Sequence, residues 1–248
     1  MDSADKQSEL NNRANFATTR WSIVVSAARE SSPESNAALE TLCRAYWYPL
    51  YAFIRRRGYT PDDASDLTQE FFSRLLEKRC LVGVDSAKGR FRSFLLASLQ
   101  NFLANEWDKA RAQKRGGGAA SLSIDAVSAE ASYLLEPAHD LTAERIYERR
   151  WALTLLERVL QRLHNEYVQA QKGRLFEALR PTIVDPSGAA AYRDLGVEVG
   201  MGEGAVKVAV HRLRKRFRSL LLDEIAQTVA SQEEIDEELL ALMAAVGG

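Results

Sequence analysis

The chain has 248 residues, 46% of them hydrophobic, which is enough to bury the core of one large domain or two small ones. Its formal net charge is −1, so any affinity for nucleic acid has to come from local clusters of cations rather than from the field of the whole molecule. The polar N-terminus lacks the apolar segment of a signal peptide, and no apolar run reaches membrane-spanning length. We therefore expect a cytoplasmic protein that does not enter a membrane.

The cysteines and histidines form no recognisable site. Cys43 and Cys80 are far apart and lack the paired spacing of a disulfide framework or a zinc site, so free thiols in a reducing compartment are expected. His139, His164 and His211 are scattered in the same way. We expect no metal ion, no cofactor and no catalytic residue, and the chain does not resemble an enzyme.

The first part of the chain predicts helices separated by polar segments. Residues 1–15 are polar and are expected to be disordered. Apolar residues at helical spacing predict one helix over Thr19–Arg29 and another over Ser35–Arg57, which Pro49 should bend.

A third helix has a clear start signal. Thr60 is a favourable N-cap residue, and Pro61 suits the first helical position. Asp62 and Asp63 add negative charge at the positive end of the helix dipole. These signals predict a helix that begins at Pro61.

A fourth helix is predicted over about Phe91–Ala112, after a polar loop at residues 82–90. Asn101 lies one turn before Asn105, and Trp107 follows them. The cations at this end are Lys109, Arg111, Lys114 and Arg115. Cations attract phosphates, an indole can stack on an unpaired base, and asparagine amides can bind base edges. The alternative is a solvated helix end whose cations complement the dipole.

A linker is predicted after the fourth helix. Three adjacent glycines at 116–118 are followed by a segment rich in Ala and Ser, which favours a flexible connection. The predicted organisation is a domain over 16–115, a linker over 116–140, a second domain over 141–222 and an acidic tail over 223–248.

The second domain also has a helical pattern. A long helix is expected over about Thr142–Gln171 and a short one over Arg174–Leu179, while Thr182–Val184 is expected to be loop or helix end. Strand-like alternation is missing throughout the sequence, so the predicted fold class is all-α.

The segment Tyr192–Phe217 predicts a helix-turn-helix. Tyr192, Leu195 and Val199 form one apolar face, and Gly200, Gly202 and Gly204 permit a tight bend. A second helix follows, with about sixteen residues and a length of roughly 24 Å. Its cations are Lys207, Arg212, Arg214, Lys215, Arg216 and Arg218.

Two kinds of partner suit this basic helix. The preceding helix and bend favour DNA, with the second helix lying in the major groove. Basic amphipathic helices also bind membrane surfaces and calmodulin-like partners, which is the alternative.

The tail predicts an acidic amphipathic helix. Ser231 and Glu234 have the spacing of a capping box. The apolar side consists of Ile235, Leu239, Leu242 and Val246. Either this helix packs on its own domain, or it is regulatory, with acids that shield the basic helix or an apolar face that binds a partner.

Taken together, these segments resemble the extracytoplasmic-function (ECF) group of bacterial RNA polymerase sigma factors. Asp62–Leu76, DDASDLTQEFFSRLL, is similar to the helix that binds the polymerase clamp and usually reads D-x-x-Q-[ED]-x-F. Phe91–Arg115 resembles the promoter-melting and −10-reading helices, and Tyr192–Phe217 resembles the −35-reading module. The resemblance covers Ala38–Arg115 and Leu153–Leu222, and the order of the three motifs is more specific than any one of them.

The resemblance implies a role for each motif and no catalytic residue. The polymerase-binding residues would be Asp66, Gln69, Glu70 and Phe71, although Phe71 also suits a core position. The −10 residues would be Lys88, Arg90, Asn101, Asn105, Lys109, Arg111, Lys114 and Arg115, and the loop Gly83–Arg90 would capture a base flipped from the non-template strand. The −35 residues would be Lys207, His211, Arg212, Arg214 and Lys215. The implied partners are core RNA polymerase and promoter DNA, with an anti-sigma factor or another regulatory protein as a further candidate.

Several residues depart from the family pattern. Phe94 stands where many members have Trp, and Asn105 stands where many have Asp, which could shift the −10 preference. Gly202 replaces a frequent Ser at the N-cap of the reader helix, and Val208 and Ala209 replace polar residues. Fewer donors are therefore expected for the −35 bases.

A second function class fits part of the pattern. A stand-alone helix-turn-helix regulator would bind operator DNA, usually as a dimer. Such a regulator would not need the Asp66–Phe71 surface together with the Asn101–Arg115 site.

Overall fold

In the computed structural model the described residues are 33–77, 90–112, 126–134, 141–184, 191–229, 231 and 233–247. These residues form helices joined by turns, and none of them lies in a strand, which confirms the all-α prediction. The predicted disorder at residues 1–15 and the helix over Thr19–Arg29 fall outside these ranges, as do Cys80 and the side chain of Cys43.

Four helices occupy the first part of the chain: α1 (Pro33–Arg56), α2 (Pro61–Leu76), α3 (Phe91–Ala112) and α4 (Ala126–Leu134). The structure confirms the predicted bounds of α1 and α3 within two residues, and α1 runs through Pro49 as one element. The start of α2 is the predicted one, because the Asp63 N–H donates to the Thr60 hydroxyl at 3.2 Å.

The remaining helices are α5 (Ala143–Gln169), α6 (Gly173–Leu179), α7 (Pro181–Val184), α8 (Ala191–Val199), α9 (Glu203–Ala226) and α10 (Glu233–Gly247). Residues 182–184, expected to be loop or helix end, belong to the four-residue α7. The basic helix α9 has 24 residues, so it is about 36 Å long and extends beyond its predicted end.

The chain divides into two compact units. The described residues of Met1–Leu153 and Ile225–Gly248 form the first unit, and those of Thr154–Glu224 form the second. The boundaries therefore fall within α5 and α9 and differ from the predicted domain boundaries. The C-terminal helix α10 belongs to the first unit.

The core of the first unit is rich in aromatic side chains. Phe71 of α2 lies with its ring centre 5.7 Å from that of Phe102 in α3, and Tyr46 of α1 meets Phe91 edge-on at 5.1 Å. Leu50, Phe53, Ile54, Leu75, Leu95 and Leu99 are fully buried around them. Burial of these apolar side chains is what holds α1, α2 and α3 together.

The helix α4 was not predicted by the sequence analysis and lies inside the predicted linker. Its Glu130 accepts hydrogen bonds from Tyr51 at 2.5 Å and from Arg55 at 2.7 and 2.9 Å. The hydrogen bond from Arg55 lowers the pKa of Glu130. Arg55 also lies 4.8 Å from the ring centre of Tyr133, so α4 is joined to α1 by polar and cation–π contacts.

The second unit has a smaller core. The fully buried side chains include Leu163 of α5, Leu179 of α6 and Val206 and Leu213 of α9. Phe176 packs against Tyr167 with ring centres 5.7 Å apart. This packing places one side of α9 in the core of the second unit. Among the helices of the described ranges, none is both long and apolar enough to cross a lipid bilayer.

Candidate nucleic-acid interface

The bend between α8 and α9 depends on two glycines. Gly200 has φ +68°, a left-handed conformation that suits glycine, and the Met201 N–H donates to the Gly196 carbonyl at 2.8 Å. This is the C-terminal hydrogen bond of a Schellman motif. A Cβ at Gly196 would lie 2.6 Å from the Met201 oxygen, so the bend also requires a small residue there.

The other glycines of the predicted bend have different roles. Gly202 precedes α9, and its carbonyl accepts the Val206 N–H at 3.0 Å, as an N-cap residue does. Gly204 lies in the first turn of α9. Of the three glycines predicted for the bend, only Gly200 adopts positive φ.

One side of α9 is buried and the opposite side carries cations. Val206, Val210, Leu213 and Leu220 point into the core at helical spacing. On the opposite side His211, Arg212 and Lys215 are exposed, with Arg218 beyond them. The described residues offer none of these four an ion-pair or hydrogen-bond partner. Val208 is half exposed in the middle of this outward face.

Three other cations of α9 have protein partners. Lys207 pairs with Glu203 at 2.7 Å, an exposed contact between adjacent turns that is worth little. Arg214, predicted to contact DNA, donates to the Thr182 carbonyl at 2.7 and 2.9 Å. Arg216 binds Glu166 at 2.6 Å, and this hydrogen bond lowers the pKa of Glu166. Arg214 is thereby directed along the protein rather than outward.

The predicted −10 residues on α3 are partly described. Asn101 and Asn105 are exposed one turn apart, whereas Leu95, Leu99 and Phe102 lie in the core. Lys88, Lys114 and Arg115 lie outside the described residues, and the side chains of Lys109 and Arg111 are not among those described.

A cleft of about 560 Å³ lies on another side of α3, and neither Asn101 nor Asn105 lines it. Trp107, which is more than half exposed, lines it together with Arg57 and Tyr59 from the turn after α1. The remaining lining residues are Gly58, Gln100, Leu103 and Ala104. The cleft thus combines an aromatic surface with a cation, the two features that single-stranded nucleic acid requires.

Arg90, predicted as a −10 residue, is engaged by acids of the tail helix. Its guanidinium forms an ion pair with Glu237, and its Nε lies 3.0 Å from Glu238. Arg92 binds the same Glu238 at 2.8 Å and lies 4.8 Å from the ring centre of Trp151. No local pattern marks Arg92 as a site residue, because its partners lie 56 and 146 residues away along the chain.

The predicted polymerase-binding residues lie on two sides of α2. Asp66 is exposed, and Glu70 is partly exposed in an ion pair with Arg74. Gln69 donates to the Ser65 hydroxyl at 3.2 Å. Phe71 is fully buried, which matches its alternative role as a core residue and leaves it no surface for a partner. Counted from Asp66, the final Phe of D-x-x-Q-[ED]-x-F falls on Phe72 rather than Phe71, and Phe72 is also buried.

Comparison with known proteins gives no match: no family model, no curated protein and no solved structure matches the chain. Within the described ranges, no group of three or more His, Cys, Asp or Glu side chains could hold a metal ion.

Proposed function

We propose that this protein is a promoter-specificity subunit of bacterial RNA polymerase, a sigma factor of the ECF kind. The observation that carries the proposal is the outward cationic face of α9, which follows a glycine bend and lies opposite the buried stripe of the same helix. The cleft at Trp107 and the exposed Asp66 support it, because a sigma factor needs three separate surfaces on one chain.

In this proposal α8, the bend and α9 form a helix-turn-helix that binds the −35 element. His211, Arg212 and Lys215 neutralise phosphates or bind base edges, and the methyl groups of Val208 contact a thymine methyl. The bend at Gly200 sets the angle at which α9 meets the groove. The membrane and calmodulin alternatives need an apolar face free for a partner, whereas the largest apolar face of α9 is buried in the second unit.

The −10 element would be bound by α3. The amides of Asn101 and Asn105 would bind base edges, and an unpaired base would stack on Trp107. Unstacking a base costs a few kcal/mol, and this capture compensates that cost. The two DNA-binding segments, in the predicted domains 16–115 and 141–222, would raise each other's effective concentration on one promoter.

Polymerase would bind the exposed side of α2. Asp62, Asp63, Asp66 and Glu70 share the side of α2 that lies opposite Phe71 and Leu75. An acidic surface of this kind suits a basic partner surface. A stand-alone regulator of operator DNA remains the second candidate, and this acidic surface is the feature that such a regulator would not need.

The decisive experiment measures binding to core RNA polymerase. We expect the double substitution Asp66→Ala and Gln69→Ala to abolish binding without lowering the thermal unfolding temperature, because both side chains lie outside the core. Glu157→Ala is the matched control, since it removes an exposed acid from the second unit and should bind as wild type does. Wild-type affinity in the double variant would refute the polymerase-binding role of α2.

A second experiment tests the function directly. Run-off transcription with core polymerase and a library of genomic promoters should yield transcripts that depend on this protein. A chain that binds DNA but supports no transcription would favour the stand-alone regulator.

A further inference from the structure

The beginning of α3 and the tail helix α10 share a cluster of charges within the first unit. Arg92 donates to both carboxylate oxygens of Glu238, at 2.8 and 3.0 Å, and lies 3.3 Å from Glu148. Arg90 lies between Glu238 and Glu237. The Tyr147 hydroxyl donates to the Arg92 carbonyl at 2.9 Å, so the cluster also includes α5.

The two ion pairs of this cluster differ in their exposure to water. The side chains of Arg92 and Glu238 are 10% and 1% exposed, whereas those of Arg90 and Glu237 are 24% and 66% exposed. Burial raises the pKa of Glu238, and the two arginines oppose that shift. The inner pair, together with the buried Ile235 and Leu242, anchors α10, while the outer pair faces solvent.

We propose that α10 regulates promoter binding through the outer pair: the Glu237 carboxylate occupies the position on Arg90 that a phosphate of single-stranded DNA takes. This inference rests on the proposed function, since it gives Arg90 a DNA-binding role. The shielding considered from the sequence was directed at the basic helix α9. The contact proposed here joins one acid of the tail, Glu237, to Arg90 instead.

The exchange is chemically simple. A guanidinium binds carboxylate and phosphate oxygens with the same planar fork, so the two anions compete for one geometry. An exposed ion pair is a weak contact, so a phosphate can replace the carboxylate. Arg90 keeps its Nε contact with Glu238 during the exchange, and Arg92 binds the same carboxylate. The helix α10 therefore stays anchored.

The test compares two substitutions that remove the same charge from α10. Glu237→Gln releases Arg90, whereas Asp236→Asn removes the neighbouring exposed acid, which has no described partner. Binding of a fluorescein-labelled single-stranded oligonucleotide of mixed sequence is followed by fluorescence anisotropy, with the full chain and no polymerase. We expect E237Q to tighten binding about two- to five-fold, the equivalent of losing one exposed ion pair, and D236N to change it less than two-fold. The salt dependence of E237Q should steepen by about 0.7, one additional phosphate contact on a single strand.

A third variant identifies the residue that gains the contact. In an Arg90→Gln background, E237Q should no longer tighten binding. The proposal is overturned if E237Q binds as wild type does, if D236N tightens binding equally, or if the gain persists without Arg90. Thermal unfolding confirms that each variant is folded, and because Glu237 is exposed, E237Q and D236N alone decide the first two outcomes.

The DNA-binding result for E237Q is independent of the result of the polymerase-binding experiment. Failure of the chain to bind polymerase would refute the proposed function and leave a DNA-binding protein that its own tail restrains. Failure of E237Q to respond would remove the regulatory contact and leave the sigma-factor proposal intact.

Discussion

The arginines of the first unit and the cations of α9 make an instructive comparison. In the first unit, Arg55, Arg74, Arg90 and Arg92 each contact at least one carboxylate, and Arg92 is largely buried. On α9, His211, Arg212 and Lys215 are exposed and have no partner among the described residues. Arginines of the first unit therefore stabilise it through ion pairs, whereas Arg212 of α9 is available to an external anion.

The difference follows from where the acids lie. The partners of Arg55 and Arg92 are 75 and 146 residues away along the chain, on α4 and α10. On α9 the residues paired with acids are Lys207 and Arg216, while the outward face keeps its charge. A count of cations in the sequence would treat both regions alike. Only the pairing separates a structural arginine from one that is available to an external anion.

The largest effect should come from the buried pair. Glu238→Ala removes the buried partner of Arg92 and leaves only the more exposed Glu148 at 3.3 Å, so the free energy of unfolding should fall by up to about 3–5 kcal/mol. Denaturant unfolding followed by circular dichroism measures this loss. Asp236→Ala on the same helix should change stability by less than about 0.5 kcal/mol. Equal losses of stability in the two variants would mean that the Arg92–Glu238 ion pair contributes no more to stability than an exposed acid does.

The bend before α9 should be nearly as sensitive. In Gly196→Ala the new Cβ would lie 2.6 Å from a backbone oxygen, so we expect a loss of about 1–3 kcal/mol and weaker DNA binding. Gly204→Ala is the matched control. It meets no atom within 4 Å and should stabilise α9 by about 0.5–1 kcal/mol. The thermal unfolding temperatures of both variants show whether close packing at Gly196 stabilises the bend that precedes α9. A G196A variant as stable as wild type would contradict this.

The outward cations should matter for DNA and the paired ones should not. Arg212→Gln should weaken binding to a promoter duplex by about 1–3 kcal/mol if Arg212 binds a base. If Arg212 contacts only phosphate, the loss should be equal across sequences and the salt slope should fall by about one. Arg216→Gln should have a smaller effect, because Glu166 already holds that guanidinium. A larger loss of DNA affinity in R216Q than in R212Q would contradict the distinction between unpaired and paired cations.

The smallest effect concerns pH and the Glu130 contact with α1. The pKa of Glu130 is lowered in the fold, so its contribution to stability is present above its unfolded pKa of about 4.3 and is lost as the pH falls through the folded pKa. Glu130→Gln should cost about 1 kcal/mol at neutral pH. The difference from wild type should shrink below about pH 4. A constant difference across this range would exclude the ion pair as its source.

The sequence by itself determined most of the described helices, though not α4, together with their local signals. The cap at Thr60, the positive φ of Gly200 and the capping-box contact from the Ser231 N–H to Glu234 at 3.3 Å were all predictable, because their partners lie within a few residues. Val206, Val210 and Leu213 recur at helical spacing, so the buried side of α9 also follows from the local pattern.

Only the tertiary structure decided which charged groups remain available. It placed Phe71 in the core, joined α4 to α1 through Glu130, turned Arg214 towards Thr182 and buried Glu238 of a helix predicted as a separate tail. Each of these outcomes joins residues far apart in the chain, and local propensity carries no information about such pairs. Because the cost of burying a charge depends on the partner it meets, the role of an arginine is set only once the helices have packed.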